Sequence, residues 1–248
     1  MPPPILSLHD VTLCYAGVTA VDSLCLHVRH GELFGLLGPN GSGKSTTLAA
    51  IVGALAPLSG EVMVAGRRHQ DDPLAYRRAI GLVPQELALY EELSAEQNVS
   101  FFGRLYGLTG RRLRERVAEV LEFVRLADQR RRLARTFSGG MQRRLNLACA
   151  LVHEPPLLLL DEPTVGLDIQ SRDAIFAGLR QLRQQGAAIV FTTHHLEEAE
   201  LLCDRIGIVD HGRLIALGTV EELCGDFPGE VDLGDVFLEL TGRSLRET

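Results

Sequence analysis

The sequence predicts an α/β protein: a mostly parallel sheet flanked by helices, opened by an antiparallel β segment and interrupted by a helical insertion. Three observations carry that prediction. Gly38-Pro39-Asn40-Gly41-Ser42-Gly43-Lys44-Ser45-Thr46 joins an apolar, strand-like segment (33–37) to a helical one (47–52), the strand, tight turn and helix of a phosphate-binding loop. Far downstream, Leu157-Leu158-Leu159-Leu160 reads as a strand buried on both faces, as in a parallel sheet, and it ends in Asp161-Glu162. Between the two, residues 94–152 turn helical in character.

The chain opens with two loosely alternating runs rich in β-formers, 5–15 and 18–28, and Ala16-Gly17 between them makes a hairpin. Tyr15 ends the first run shortly before the phosphate loop and can offer its ring face to an adenine. Taken alone, it reads as a half-buried strand residue. In the loop itself, glycines let backbone N–H groups turn toward one centre, and the helix start adds unpaired donors and partial positive charge. Lys44 would neutralise phosphate oxygens, and the Ser45 hydroxyl suits Mg²⁺, which takes few protein ligands. Of the 25 Lys plus Arg residues, Lys44 is the only Lys. A compact charge on a flexible stem fits an enclosed loop where a planar guanidinium does not.

Residues 61–64 and 79–83 read as further strands, the second running into Pro84-Gln85. A Gln amide at a strand end can reach Mg²⁺ or an attacking water. Leu113, Val117, Val120, Leu121 and Val124 then recur at helical spacing. In Phe137-Ser138-Gly139-Gly140-Met141-Gln142-Arg143-Arg144, Ser138 caps a helix continuing through Leu151. Ser-Gly-Gly at a helix start is also a second anion site, although alone it would be an ordinary cap. Pro155-Pro156 closes the helical region. At the end of the next strand, Asp161 would hold Mg²⁺ through its waters, and Glu162 would orient an attacking water.

Gly166-Leu167-Asp168 leads to a helix with Ile175, Leu179 and Leu182 at core spacing, and the strand at 187–191 ends in Thr192-Thr193-His194-His195. A histidine there could hydrogen-bond a phosphate or the water beside it. A short acidic helix (196–202), strands near 206–209 and 213–217, and a last helix around Val236, Phe237 and Leu240 complete the chain. It contains no internal repeat.

With 248 residues and 46% hydrophobic content, the chain has ample core for one large domain or two small ones. Its longest apolar runs are far shorter than the roughly 20 residues that span a bilayer. Met-Pro-Pro-Pro-Ile at the start lacks the basic and apolar regions of an export signal. Five scattered cysteines (Cys14, Cys25, Cys149, Cys203, Cys224) read as reduced core residues of a cytoplasmic protein. A net charge of −7 argues against a general nucleic-acid binder. The Arg clusters at 111–116, 130–135 and 143–144 read as solvated helical faces, the alternative being a docking surface for a partner or lipid headgroups.

Taken in order, Tyr15, GPNGSGKST (38–46), Gln85, SGGMQRR (138–144), LLLLDEPTVGLD (157–168) and TTHH (192–195) resemble the nucleotide-binding subunits of ABC transporters. The resemblance covers about residues 5–225. It implies a P-loop NTPase core with an antiparallel β subdomain and a helical insertion. It places the ATP-binding core at 1–85 and 156–225, a helical subdomain at 86–155, and a short helical tail at 226–248. By resemblance Tyr15 is the adenine-stacking residue, Gly38, Pro39, Asn40, Gly41, Ser42, Gly43, Lys44, Ser45 and Thr46 are Walker A, and Gln85 is the Q-loop residue. Ser138, Gly139, Gly140, Met141 and Gln142 form the signature motif and Leu157–Asp161 Walker B. Glu162 is the catalytic carboxylate, Asp168 the D-loop residue and His194 the switch histidine.

The implied activity is Mg²⁺-dependent ATP hydrolysis by two copies that sandwich two ATP molecules, the signature helix of one closing over the phosphate loop of the other. The motion drives a separate polytopic membrane permease at the cytoplasmic face of the membrane. Residues 82–108 and the LGDVFLELTGRSLRE segment look like the drug- and lipid-export branch. Two departures stand out. Met141 replaces the usual Gln of the signature, and the segment after about Leu223 is shorter than the branch's usual extension. The competing readings are an importer subunit and a soluble ABC-type ATPase acting on nucleic acid or the ribosome. The cargo is not written in this chain, because the permease selects it.

Overall fold

The computed structural model describes residues 3–15, 17–225, 227 and 231–242. In order, the elements are β1 (Leu6–Tyr15), β2 (Val18–Val28), β3 (Leu33–Leu37), α1 (Lys44–Ile51), β4 (Ser59–Val64), α2 (Pro73–Arg78), β5 (Ile80–Val83), α3 (Ala95–Leu105), α4 (Gly110–Phe123), α5 (Gly139–Leu151), β6 (Leu157–Asp161), α6 (Ile169–Gln184), β7 (Ala188–Thr193), α7 (Leu196–Leu202), β8 (Arg205–Asp210), β9 (Arg213–Gly218), α8 (Val220–Gly225) and α9 (Leu233–Thr241). Single 3₁₀ turns lie at Ala127–Gln129 and Ala134–Thr136.

Two sheets result. The larger runs β5-β6-β7-β3-β8-β9, parallel throughout except for the last, antiparallel pair. The smaller is the antiparallel order β2-β1-β4. The apolar runs of the sequence become central strands because both faces are covered, one by helices and the other by the antiparallel sheet and α1. Every residue of β3, β6 and β7 is buried. β1 and β2 alternate instead, one face turned to the core and one to solvent.

One core layer joins α3, α4, α5 and α6 to one side of β6 and β7, around Leu113, Val117, Leu145, Leu160 and Phe191. Another packs the antiparallel sheet and α1 on the opposite side, around Leu6, Leu13, Leu48 and Leu159. A smaller one seats α9 on β8, through Val236, Phe237 and Ile208. The stretch between β5 and β6 therefore leaves the sheet and returns to the neighbouring strand, since β5 and β6 pair directly.

Several expectations shift. The helix after the phosphate loop begins at Lys44 rather than at 47. α2, announced by an Asp72 cap and Pro73 at its first position, and α8 were not expected as helices. All five cysteines are free, but Cys25 is exposed and only Cys149 is fully buried. The hairpin's Ala16 lies outside the described residues, as does part of the expected tail. The arginine clusters are not uniformly solvated: Arg116 is only 13% exposed and donates to Leu151 O (3.1 Å) and Val152 O (3.2 Å). Arg144 donates to Val124 O (2.9 Å) and Arg125 O (3.2 Å), satisfying carbonyls at the end of α4.

His153, just after α5, stacks on Tyr106 with ring centroids 3.5 Å apart and planes 5° from parallel, and its Nε2 lies 3.0 Å from Ile80 O. Burial pushes its pKa down from 6.5 to about 4, so the folded ring stays neutral. Above pH 6.5 neither state carries the proton. Between 6.5 and about 4 the unfolded chain binds a proton that the folded chain does not, so stability falls as the pH drops through that window. From pH 7 to pH 5 this should cost about 2 kcal/mol, and His153→Gln should flatten the dependence by that amount in urea unfolding. Equal slopes in both proteins would remove His153 from the account.

Candidate active site

The site is built by register. Val83 pairs with Leu160, Asp161 with Thr192, and Leu37 with Thr193, so the strands β5, β6, β7 and β3 end along one edge. Gln85, Glu162, His194 and Gly38 are the residues one or two positions beyond those pairs. They leave the sheet side by side, on strands about 4.8 Å apart.

The loop after β3 is shaped by close backbone approach. A Cβ on Gly38 would stand 2.2 Å from Val209 O, and one on Gly43 2.6 Å from Ala20 O. Gly41 and Gly43 also take left-handed φ values of 78° and 103°. Helix α1 has no side-chain cap, and the N–H groups of Lys44, Ser45 and Thr46 find no backbone acceptor among the described residues. Ser42 Oγ is buried and likewise without a partner. Buried polar groups are normally satisfied, so this set of free donors at a helix N-terminus fits a bound anion.

Lys44 Nζ donates to Gly38 O (2.8 Å) and Pro39 O (3.0 Å) and lies 3.3 Å from Glu162 Oε1. Both side chains are almost wholly buried, at 4% and 7% exposure. Burial holds the ammonium below the ordinary lysine range, and the charge of Glu162 acts in the opposite direction. Gln85 Nε2 reaches Glu162 Oε2 at 3.5 Å. His194 Nδ1 lies 3.2 Å from the same oxygen, near enough for an ion pair but off the line of a hydrogen bond.

Glu162 is itself strained, with φ 44° in the left-handed region, at a cost of about 1–3 kcal/mol. Thr192 holds it there. The Glu162 N–H donates to Thr192 Oγ1 (3.0 Å), and that hydroxyl donates to Asp161 Oδ1 (2.8 Å). On the next residue, Thr193 Oγ1 donates to buried Glu198 (2.7 Å) and accepts from His195 N (3.0 Å). His194 therefore faces Glu162, whereas the backbone of His195 is tied to Thr193.

Lys44, Gln85, Asp161, Glu162 and His194 thus meet in one cluster. Ser45, at the same loop's end, is exposed, as are Asn40 and Gly41. Tyr15 is 69% exposed rather than half-buried. It pairs with Val18, two residues before the Ala20 carbonyl that closes on Gly43.

The expected second anion site lies elsewhere. Ser138 caps α5 by accepting from Met141 N (3.3 Å), and both Ser138 and Gly139 are exposed. Among the described residues, no hydrogen bond or ion pair joins them to the phosphate loop. Gly140 is buried, and a Cβ there would meet Ser171 Oγ at 2.2 Å. That same Ser171 is held by Asp168, which caps α6 by accepting from Ser171 N (2.8 Å) and Oγ (2.9 Å). These bonds keep the Asp168 carboxyl below the usual range. The Met141 side chain packs against the core, and Gln142 Nε2 donates to Ala134 O (3.2 Å), so both side chains serve their own chain.

Sequence reasoning missed Thr192, Glu198 and Asp168's capping role. A pair of threonines closing an otherwise apolar strand was the available signal. Thr192→Val should leave the Glu162 N–H and Asp161 Oδ1 unsatisfied and destabilise the protein by about 1–3 kcal/mol in urea unfolding, with Thr192→Ser recovering most of the loss. An unchanged midpoint for the valine variant would exclude the bridge.

Known proteins similar to this chain identify its family. The family model described as ABC transporter matches residues 21–165. The linearmycin resistance ATP-binding protein LnrL of Bacillus subtilis (strain 168) is 43% identical over 98% of this chain and 76% of its own length. The doxorubicin resistance ATP-binding protein DrrA of Mycobacterium tuberculosis is 42% identical, over 93% of this chain and 68% of its own. A solved ATP binding subunit of an ABC transporter superposes with a TM-score of 0.87 at 33% identity, covering 96% of this chain and 99% of that one. The chain belongs to the ABC transporter family, as an ATP-binding subunit that hydrolyses ATP.

Proposed function

We propose that this subunit powers export. Two copies close around two ATP molecules and drive a separate polytopic permease from the cytoplasmic face of the membrane. The observation that carries the reading is the convergence of Lys44, Gln85 and His194 on Glu162 beside the phosphate loop, with Lys44 and Glu162 themselves buried. Relatives named for linearmycin and doxorubicin resistance support export over import.

In this reading Gly38 to Thr46 wrap the β- and γ-phosphates, Lys44 neutralises them, and Tyr15 stacks on the adenine. The free donors of the loop fit that anion. Ser45, Gln85 and Asp161 would hold Mg²⁺, whose contribution is to neutralise charge on the phosphate oxygens. The donor set is right for a hard cation, and Asp161 Oδ2 accepts no hydrogen bond among the described residues. The γ-phosphate competes with Glu162 for Lys44. Once released from that ion pair, the Glu162 carboxylate accepts a hydrogen bond from the attacking water, with His194 and Gln85 fixing its orientation.

Self-association is supported by the exposed Ser138-Gly139 donors at the N-terminus of α5, which do not serve their own loop. Exposed Val165 and Ile169 on either side of Asp168 add apolar surface beside them. Ser138 to Gln142 would meet the partner's ATP through backbone N–H groups and the Ser138 hydroxyl, with Asp168 nearby. No described helix is long and apolar enough to cross a membrane. Leu87, Tyr90 and Leu105 are exposed on the 86–106 stretch and suit docking to the permease. Residues 86–155, hinged near Gln85, would pass the motion to it.

Glu162→Gln should keep ATP binding, slow hydrolysis roughly 10²- to 10⁴-fold and accumulate an ATP-dependent dimer in size exclusion with light scattering. Hydrolysis at the native rate would take Glu162 out of this role, and a variant that stays monomeric with ATP would count against the sandwich.

A further inference from the structure

We infer that Arg143 couples the two nucleotide sites of the dimer by tying the signature end of α5 to the Gln85 segment of its own chain. The inference rests on the sandwich reading above. Arg143 sits on α5 five residues after Ser138, about 7 Å along the axis from the exposed N-terminus. Its Nη1 donates to Pro84 O (3.4 Å) and to Gln85 O. Gln142 and Arg144 reach from the same helix only to Ala134 and to the end of α4, within the 86–155 stretch. Arg143 alone of the three crosses to the exit of β5.

The chemistry makes this a firm link. Arg143 is partly buried, burial lowers its pKa, and no carboxylate pairs with it among the described residues. The two carbonyls are therefore the acceptors that compensate its charge, and such charge-assisted bonds are the stronger kind. Pro84 has no N–H and cannot extend the strand ladder. The Gln85 side chain in turn touches Glu162. A continuous path thus runs from the α5 N-terminus through Arg143 and the Gln85 backbone to the Glu162 carboxylate of the same chain.

In the dimer that N-terminus meets the partner's ATP. A γ-phosphate in one site positions α5 of the opposite chain, and Arg143 then sets Gln85 and Glu162 in that chain's own site. Arg143 is a positioning residue, since it touches neither phosphate nor water. Each site completes the other, so hydrolysis by the pair is cooperative in ATP.

The test is Arg143→Met, which keeps the length and removes the donors. The Hill coefficient for hydrolysis should fall from about 2 toward 1. The kcat should drop about 10-fold or more while the KM for ATP moves less than about 3-fold. Amide exchange at residues 85–87 should accelerate, and Arg143→Lys should restore part of both losses. Combined with Glu162→Gln, the variant should still dimerise with ATP. A purely structural role would lower thermal stability without changing cooperativity. Native cooperativity and kcat in Arg143→Met would overturn the inference, as would a native enzyme that is itself non-cooperative. So would loss of the dimer in the double variant when Glu162→Gln alone retains it. If Glu162→Gln alone never dimerises, the sandwich reading fails and this inference with it.

Discussion

The ion pair between Lys44 and Glu162 is the interaction on which the site depends. Two charges are buried within 3.3 Å of each other, where each alone would be costly. The pair is not a stabilising ornament: desolvation works against the Lys44 charge, and Glu162 sits in a strained backbone conformation. In the proposed mechanism the arrangement is a balanced pair of groups for a polyphosphate to separate: an anion in the loop would supply the Lys44 counter-charge and leave the carboxylate available to a water.

The rest of the fold exists to place these two side chains. Lys44 comes from the helix after β3, Glu162 from the end of β6, and the parallel order β6-β7-β3 sets one strand between them. That strand, β7, contributes Thr192, which fixes the carboxylate backbone, and His194, which faces its side chain. β3, β6 and β7 are buried on both faces, and the 86–155 stretch packs on this sheet through the core layer of α3, α4 and α5 and reaches its edge through β5 and Arg143.

Much of this was legible in the sequence. The phosphate loop, the acidic end of β6 and the histidine end of β7 could be located because parallel strands read as short apolar runs with polar punctuation. That pattern put the phosphate loop and the acidic strand end on the ligand-binding edge, whereas Gln85 and His194 took their roles from the family resemblance. The start of α1 was misplaced because Gly43 caps it in a left-handed conformation, without a Ser, Thr, Asp or Asn signal. The helices α2 and α8 are six residues long, too short for a helical period to show. The partners of Thr192 and Arg143 were hidden for another reason. Each acts on residues that are 30 to 59 positions away in sequence, and only strand pairing or helix placement reveals the partner. Arg116 was misjudged with its neighbours because composition cannot tell which member of an arginine cluster turns inward.

Because Lys44 is the only lysine of the chain, lysine labelled with ¹³C at the ε carbon gives a single resonance that reports on this ion pair. In the free protein, Glu162→Gln should displace that resonance. A non-hydrolysable ATP analogue with Mg²⁺ should move it in both proteins and bring the two spectra together, since phosphate then replaces Glu162 as the lysine's partner. A resonance that ignores Glu162→Gln, or that stays put when nucleotide is added, would contradict the account.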